Sequence, residues 1–241
     1  MLNLTGKLAV ITGASGGIGS EIAIELAKKN MNLCLVGRDL NRLKDVKDRA
    51  NKYGIHVSVL NLDLCSERSV IKLGKTIKEL GGSIDVLVHS AGVISYNEIE
   101  NLSINEFRRE FNINMYLPFI LTKLLLVDLK KAKGQIVFIN STVIKRSVPR
   151  LSAYTSSKQA LKGFADCLRE EVNRYGVRVL SIFPGKTASK MQLNLHMKTG
   201  KEYNPEILIQ PNDIAQIVSS CLLLPKSTEV TEVFLRPMMK S

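Results

Sequence analysis

The sequence predicts an α/β fold: one doubly wound domain over residues 1–241, with a mainly parallel seven-stranded sheet and helices on both faces. Three observations carry this. Short apolar, β-branched runs alternate with longer stretches of helical period along the whole chain, with no repeat, low-complexity segment or linker. A glycine-rich turn joins the first run to the first helix. Gly13, Arg38, Asp63, Ser90, Ser141 and Pro184 all stand where apolar runs end, and ligands sit at the carboxyl ends of parallel strands.

Residues 8–12 (Leu-Ala-Val-Ile-Thr) read as a buried strand, followed by Gly13-Ala-Ser15-Gly16-Gly17-Ile18-Gly19 and a helix over 21–29. Glycines at 13, 17 and 19 remove side chains where a pyrophosphate must approach the backbone, and the helix N-terminus offers free N–H groups to it. This is a Rossmann-type, nucleotide-binding start, with the spacing G-x-x-x-G-x-G. The second strand, 32–36, ends in Gly37-Arg38-Asp39 and leads into a helix over 40–53. An acid at this strand end suits a ribose 2′-hydroxyl, and an arginine suits a 2′-phosphate. Gly37 occupies the expected acid position and Arg38 follows, which favours NADP(H) over NAD(H), with Ser15 adding a hydroxyl. Asp39 remains the alternative, as a ribose ligand two residues on.

A third strand over 56–60 is closed by Asp63-Leu64. An amphipathic helix over 67–80 stops at Gly81-Gly82. The fourth strand, 85–89, runs into a second small-residue turn, Ser90-Ala91-Gly92. Residues 104–129 read as one long helix, bent or strained at Pro118, with Asn112 and Asn114 as polar exceptions in an apolar stretch. The fifth strand, 135–140, precedes a helix from about 153 to 175. The sixth, 177–183, ends at Pro184-Gly185. Residues 186–210 are polar, lysine-rich and poorly periodic, and suggest a substrate loop or lid. Pro211 opens a helix stopped by Pro225, and 232–236 form the last strand.

The chain carries 34 basic and 22 acidic residues, for a net charge of +12, which favours anionic partners. The lysines are dispersed and aromatics make up 5% with no Trp, which argues against nucleic acid. The best apolar stretch, 117–129, is interrupted by Lys123 and Asp128, so no membrane insertion is expected. The start lacks signal-peptide character. Four scattered cysteines and three histidines without H-E-x-x-H suggest a reducing, cytoplasmic setting and no metal.

Tyr154 and Lys158 stand four apart at the start of a helical stretch, so they share a face one turn apart. An unperturbed phenol titrates near 10, too high for acid/base work at neutral pH, and an adjacent ammonium should lower it. Ser141, at the end of the fifth strand, can hydrogen-bond a carbonyl oxygen that the tyrosine protonates.

These residues together resemble the short-chain dehydrogenase/reductase family, over nearly the whole chain. Thr12-Gly-Ala-Ser-Gly-Gly-Ile-Gly19 matches its T-G-x-x-x-G-x-G, Tyr154 and Lys158 its Y-x-x-x-K, with Ser141 13 residues before the tyrosine, and Pro184-Gly185 its P-G. The resemblance implies Tyr154 as general acid/base. Lys158 would bind the nicotinamide ribose, Ser141 the substrate oxygen, and Asn114 a proton-relay water. It implies adenine contacts from Asp63 and Leu64, close approach at Ser90, Ala91 and Gly92, and a contact from Thr187 to the nicotinamide amide. The reaction implied is hydride transfer between NADP(H) and a carbonyl or secondary alcohol, in a homotetramer or homodimer. The family's N-N-A-G is here His89-Ser90-Ala91-Gly92, and position 16, often basic in NADP-preferring members, is Gly.

For the substrate, Val143 can line an apolar pocket. Lys145 and Arg146, with Arg150 beyond, can clamp a carboxylate or phosphate, as on a small hydroxy or keto acid. The alternative to an enzyme is a catalytically idle nucleotide-binding scaffold or sensor of the same fold.

Overall fold

The computed structural model describes residues 2–63, 66–79 and 83–239. Its strands are β1 (Leu8–Thr12), β2 (Asn32–Gly37), β3 (Val57–Asn61), β4 (Val86–His89), β5 (Gln135–Ile139), β6 (Arg178–Pro184) and β7 (Glu232–Leu235). They form one sheet in the order β3-β2-β1-β4-β5-β6-β7, and every pairing is parallel. The chain starts at the centre, runs out to β3, then returns beside β1 and runs out to β7. That reversal leaves a crevice beyond the carboxyl ends of β1 and β4.

Among the described residues, eight α-helices cover the sheet: α1 (Gly17–Ala27), α2 (Leu40–Asn51), α3 (Glu67–Glu79), α4 (Ile104–Phe111), α5 (Leu117–Ala132), α6 (Ser152–Val172), α7 (Lys190–Thr199) and α8 (Pro211–Leu222). Alternate residues of β1 divide the core. Ala9 and Ile11 pack with Ile22 and Leu26 of α1, Leu43 of α2 and Ile214 and Val218 of α8. Val10 faces the other layer, with Leu73 of α3, Leu121 and Leu125 of α5, and Leu161 and Leu168 of α6. Both faces are therefore covered, which is why the central strands are continuously apolar rather than alternating.

Two segments differ from the sequence reading. The long helix runs unbroken from Ile104 to Ala132, but its distortion is a π-turn over Asn112–Tyr116, one turn before Pro118. Pro118 has no N–H for the Asn114 carbonyl, and the wider turn absorbs that loss, with the Leu117 N–H reaching back to Asn112. This 29-residue helix meets the length and composition of a bilayer span, whereas Lys123 and Asp128 had suggested otherwise. Half of its most apolar window is buried within the fold. The second difference is the polar stretch 186–210, which contains α7, capped by the Ser189 hydroxyl accepting from the Gln192 N–H at 3.3 Å. Its apolar residues are too few for a helical stripe, and the Ser cap was the local signal available.

Candidate active site

The glycine turn is shaped by contact. Gly13 has φ +67°, and a Cβ there would come 2.7 Å from the Ala91 N atom. A Cβ on Gly19 would lie 2.4 Å from the Gly13 carbonyl oxygen. The first turn thus nests against the Ser90-Ala91 turn after β4. The Thr12 hydroxyl joins them, accepting from the Ser90 and Ala91 N–H groups at 3.3 and 3.4 Å. A cleft of about 830 Å³ opens over both turns, lined among others by Gly13, Ser15, Gly17, Ile18 and Gly19, by Arg38 and Asp63, and by Ser90, Ala91 and Gly92. A groove floored by glycine backbone at a helix N-terminus fits a dinucleotide pyrophosphate. Leu64 lies outside the described residues.

At the β2 end of the cleft, a Cβ on Gly37 would sit 2.8 Å from the Ser15 hydroxyl and 3.3 Å from Leu43. A side chain at position 37 would require Ser15 and Leu43 to shift. Asp39 caps α2, accepting from the Arg42 N–H at 3.1 Å, and its carboxylate is 3.4 Å from the Arg42 guanidinium. Its helix-capping role was legible from its place before a helical run. Arg42, which lines the cleft beside Arg38, was missed by sequence reasoning. Lys190, Met191 and Asn194 of α7 also line the cleft and were missed because nothing local ties α7 to the first turn.

Ser141, at the end of β5, starts a short 3-10 turn over Thr142–Lys145 and accepts from the Val143 N–H at 3.2 Å. Tyr154 and Lys158 share one face of α6. Lys158 is buried, donates to the Ile139 carbonyl at 2.9 Å and lies 5.8 Å from the Tyr154 ring centroid. The Asn140 side chain ties the strand end to this helix, donating to the Lys158 carbonyl at 3.1 Å and accepting from the Ser141 N–H at 2.9 Å. Asn114, fully buried in the π-turn, exchanges hydrogen bonds of 2.9 Å with both backbone groups of Val93 and donates to the Ser157 hydroxyl at 3.0 Å. A Cβ on Gly92 would meet Asn114 at 3.4 Å and the Lys158 ammonium at 3.8 Å, so these buried groups lie directly behind the Gly92 wall of the cleft without lining it.

Burial pushes the Tyr154 phenol up to about 12, against the lowering effect of the Ser141 hydrogen bond. Burial also draws the Lys158 ammonium down to about 8. The expected lowering of Tyr154 by Lys158 is not seen in this arrangement, in which the ammonium is engaged by Ile139.

Ser141, Tyr154, Lys158 and Asn114 are not among the residues that line the cleft, and neither are the remaining predicted residues. The Pro184 carbonyl accepts from the Thr142 hydroxyl at 3.3 Å. Gly185 leaves space for the chain after β7, and Thr187 is buried and donates to the Gly185 carbonyl at 3.0 Å. Val143 is buried, whereas Lys145 stacks over Phe234, 3.4 Å from its centroid, and Arg150 pairs with Glu98 at 2.6 Å. Two of the three cations read as a substrate clamp thus have partners within the chain, and Arg146 is left. At the N-N-A-G position, His89 stacks on Phe138 and bonds the Thr122 hydroxyl at 2.9 Å. Its Nδ1 has no partner among the described residues, and burial lowers its pKa to about 3. No cluster of metal-binding side chains occurs among the described residues.

A family described as short chain dehydrogenase matches residues 7–199. The chain is 30% identical over 242 residues to the glycine betaine reductase of Emericella nidulans, spanning 97% of this chain but only 19% of that protein. It is 31% identical over 240 residues to an uncharacterized oxidoreductase of Staphylococcus saprophyticus, covering 98% of this chain and 100% of that one. Among solved structures, the alcohol dehydrogenase of Thermococcus sibiricus complexed with 5-hydroxy-NADP superposes with a TM-score of 0.88 at 30% identity, over 98% of both chains. A 7α-hydroxysteroid dehydrogenase complexed with NADH gives 0.86 at 25% identity, over 97% of this chain and 94% of that one.

Proposed function

Because the chain belongs to the short-chain dehydrogenase family, we propose that it is an NADP(H)-dependent oxidoreductase that interconverts a carbonyl and a secondary alcohol, with Tyr154 as acid/base. The observation that carries the cofactor choice is the contact between Gly37 and Ser15. It crowds any side chain at position 37, where a ribose-binding acid would stand, and Ser15 lines the same cleft as Arg38 and Arg42, donors suited to a 2′-phosphate. Asp39 is occupied as the α2 cap, which supports the same reading.

A bound nicotinamide would supply or accept the hydride. The chain does the rest. Ser141 holds the substrate oxygen and Tyr154 delivers its proton in reduction or removes it in oxidation. Lys158 binds the cofactor ribose, and Asn114, anchored on Val93 and Ser157, holds the proton-relay water. The α7 segment covers the cleft as a lid.

For the substrate, an anionic group remains part of the reading, but on Arg146 rather than Lys145. Burial lowers the Lys186 pKa, and the charges of Lys201 and Arg146 lower it further, which is consistent with a locally positive field near the Pro184-Gly185 turn. A small keto or hydroxy acid fits that charge. The exposed Phe107, Tyr116 and Val127 along the long helix support a homo-oligomer.

The test is titration with NADPH and NADH, followed by nicotinamide fluorescence. Tighter NADPH binding that is lost in Arg38→Ala and weakened in Arg42→Ala is the expected result. Preference for NADH would overturn the cofactor reading, and binding of neither would favour a scaffold role.

A further inference from the structure

Glu110 lies in the last turn of α4, with 2% of its surface exposed. A buried carboxylate is costly unless its oxygens are paired. One oxygen, Oε1, accepts from the Ser95 N–H at 2.6 Å and from the Ser95 hydroxyl. The other, Oε2, has no partner among the described residues. A side chain that only fastened the loop after β4 would need neither the charge nor the second oxygen.

What lies across the interface gives the charge a role. The long helix packs on α6. One turn beyond Glu110, Asn114 donates to Ser157, and Ser157 donates to the Tyr154 carbonyl at 2.8 Å. The face carrying 110 and 114 therefore meets the face carrying 154, 157 and 158. Glu110 is the carboxylate whose charge acts on both Tyr154 and Lys158, and it favours the protonated form of each. The other groups around it are Glu106 and Arg109 on its own helix, acting in opposite directions, and Ser95 from the β4 loop. Burial, the largest influence, raises the carboxyl's own pKa, and the Ser95 hydrogen bonds oppose that.

We propose that Glu110 is a positioning residue of this site: its buried carboxylate, on the helix that packs on α6 and fastened to Ser95, sets a negative charge near the Tyr154 and Lys158 face and so favours proton delivery, the step that carbonyl reduction needs. This rests on the oxidoreductase reading above. A phenol is the acid that carbonyl reduction needs, and a phenolate is the base that alcohol oxidation needs. A nearby anion favours the first.

The experiment compares wild type with Glu110→Gln, which keeps shape and an acceptor for Ser95, and with Ser95→Ala, which removes the hydroxyl bond but leaves the carboxylate and the Ser95 N–H that it accepts from. The Lys158 titration is followed by NMR of ¹³Cε-labelled lysine, assigned with Lys158→Met, without cofactor. Glu110→Gln should move the Lys158 midpoint to lower pH, and Ser95→Ala should leave it in place while raising KM. In turnover, Glu110→Gln should move the rising limb of alcohol oxidation to lower pH and increase the oxidation-to-reduction rate ratio at neutral pH. An unchanged Lys158 midpoint in Glu110→Gln, or an equal shift in Ser95→Ala, would overturn the proposal. If Glu110→Gln does not fold, Glu110→Met paired with Ser95→Ala removes the same charge and the hydroxyl that would lose its acceptor, and it is read in the same way. A wild type without nicotinamide-dependent turnover would refute the oxidoreductase reading and with it the bias towards reduction. The Lys158 titration would still decide whether the Glu110 charge acts across the interface.

Discussion

A Cβ on Gly37 would stand 2.8 Å from the Ser15 hydroxyl, a residue of the first glycine turn. The two turns that end β1 and β2 thus crowd each other, and a side chain at 37 would displace the hydroxyl at 15. Gly37→Asp alone should therefore not convert the protein to NADH. It should lower stability by about 1–3 kcal/mol through overpacking and weaken both cofactors. Gly37→Asp with Ser15→Gly should recover stability and bind NADH more tightly than NADPH. Thermal melts and paired fluorescence titrations check both outcomes.

Lys158 makes stability depend on pH. Its pKa falls from the ordinary 10.5 to about 8 in the folded chain. A depressed folded pKa means that the group's contribution is full above the unfolded value and is lost as pH falls through the folded one. Below pH 8 the buried cation costs about 3 kcal/mol. Lys158→Met should be more stable than wild type at pH 7, by about 1–2 kcal/mol after loss of the Ile139 hydrogen bond. Its advantage should shrink as pH rises from 8 towards 10. Urea denaturation at pH 7, 8.5 and 10 measures this.

His89 acts in a lower window. Its folded pKa of about 3 lies below the ordinary 6.5, so stability is full above 6.5 and falls as pH drops towards 3. Between pH 6.5 and 4.5 the loss is roughly 2–3 kcal/mol. His89→Asn, which restores the family's residue, should remove that part of the acid sensitivity. It should also lose the stacking on Phe138 and so be less stable at pH 7. Denaturant midpoints across this range in both proteins give the comparison.

The substrate side separates two neighbouring cations. Lys145→Ala removes the contact with Phe234 and should cost about 1 kcal/mol of stability without altering KM for acidic substrates. Arg146→Ala should leave stability within about 0.5 kcal/mol and raise KM for those substrates. Steady-state kinetics on a panel of keto acids, with melts alongside, tells them apart.

Much of the fold was legible because its signals are local. β1, β4 and β5 are short β-branched runs that no helix pattern mimics, and their ends were read to within a residue. The turn at 13–19 and the pair Tyr154 and Lys158 were legible because their spacing is itself the geometry. α7 was not legible, since its identity as a helix rests on a Ser189 cap and on packing over the cleft rather than on an apolar stripe. The π-turn was half legible: Pro118 announces a defect, but its position depends on how the preceding turn accommodates the missing N–H.

The sequence by itself determined the layer architecture, the nucleotide-type first turn and the set of residues that can carry acid/base chemistry. These follow from periodicity, glycine placement and spacings of four residues or fewer. Tertiary structure decided which cations remain for a substrate, since Lys145 finds Phe234 and Arg150 finds Glu98 far along the chain. It also decided that Arg42 joins Arg38 and that Glu110 lies buried against Ser95 beside the Tyr154 helix. The physical reason is the same throughout. A side chain's charge state and available hydrogen bonds depend on burial and on partners brought together by packing, and neither is encoded at its own position.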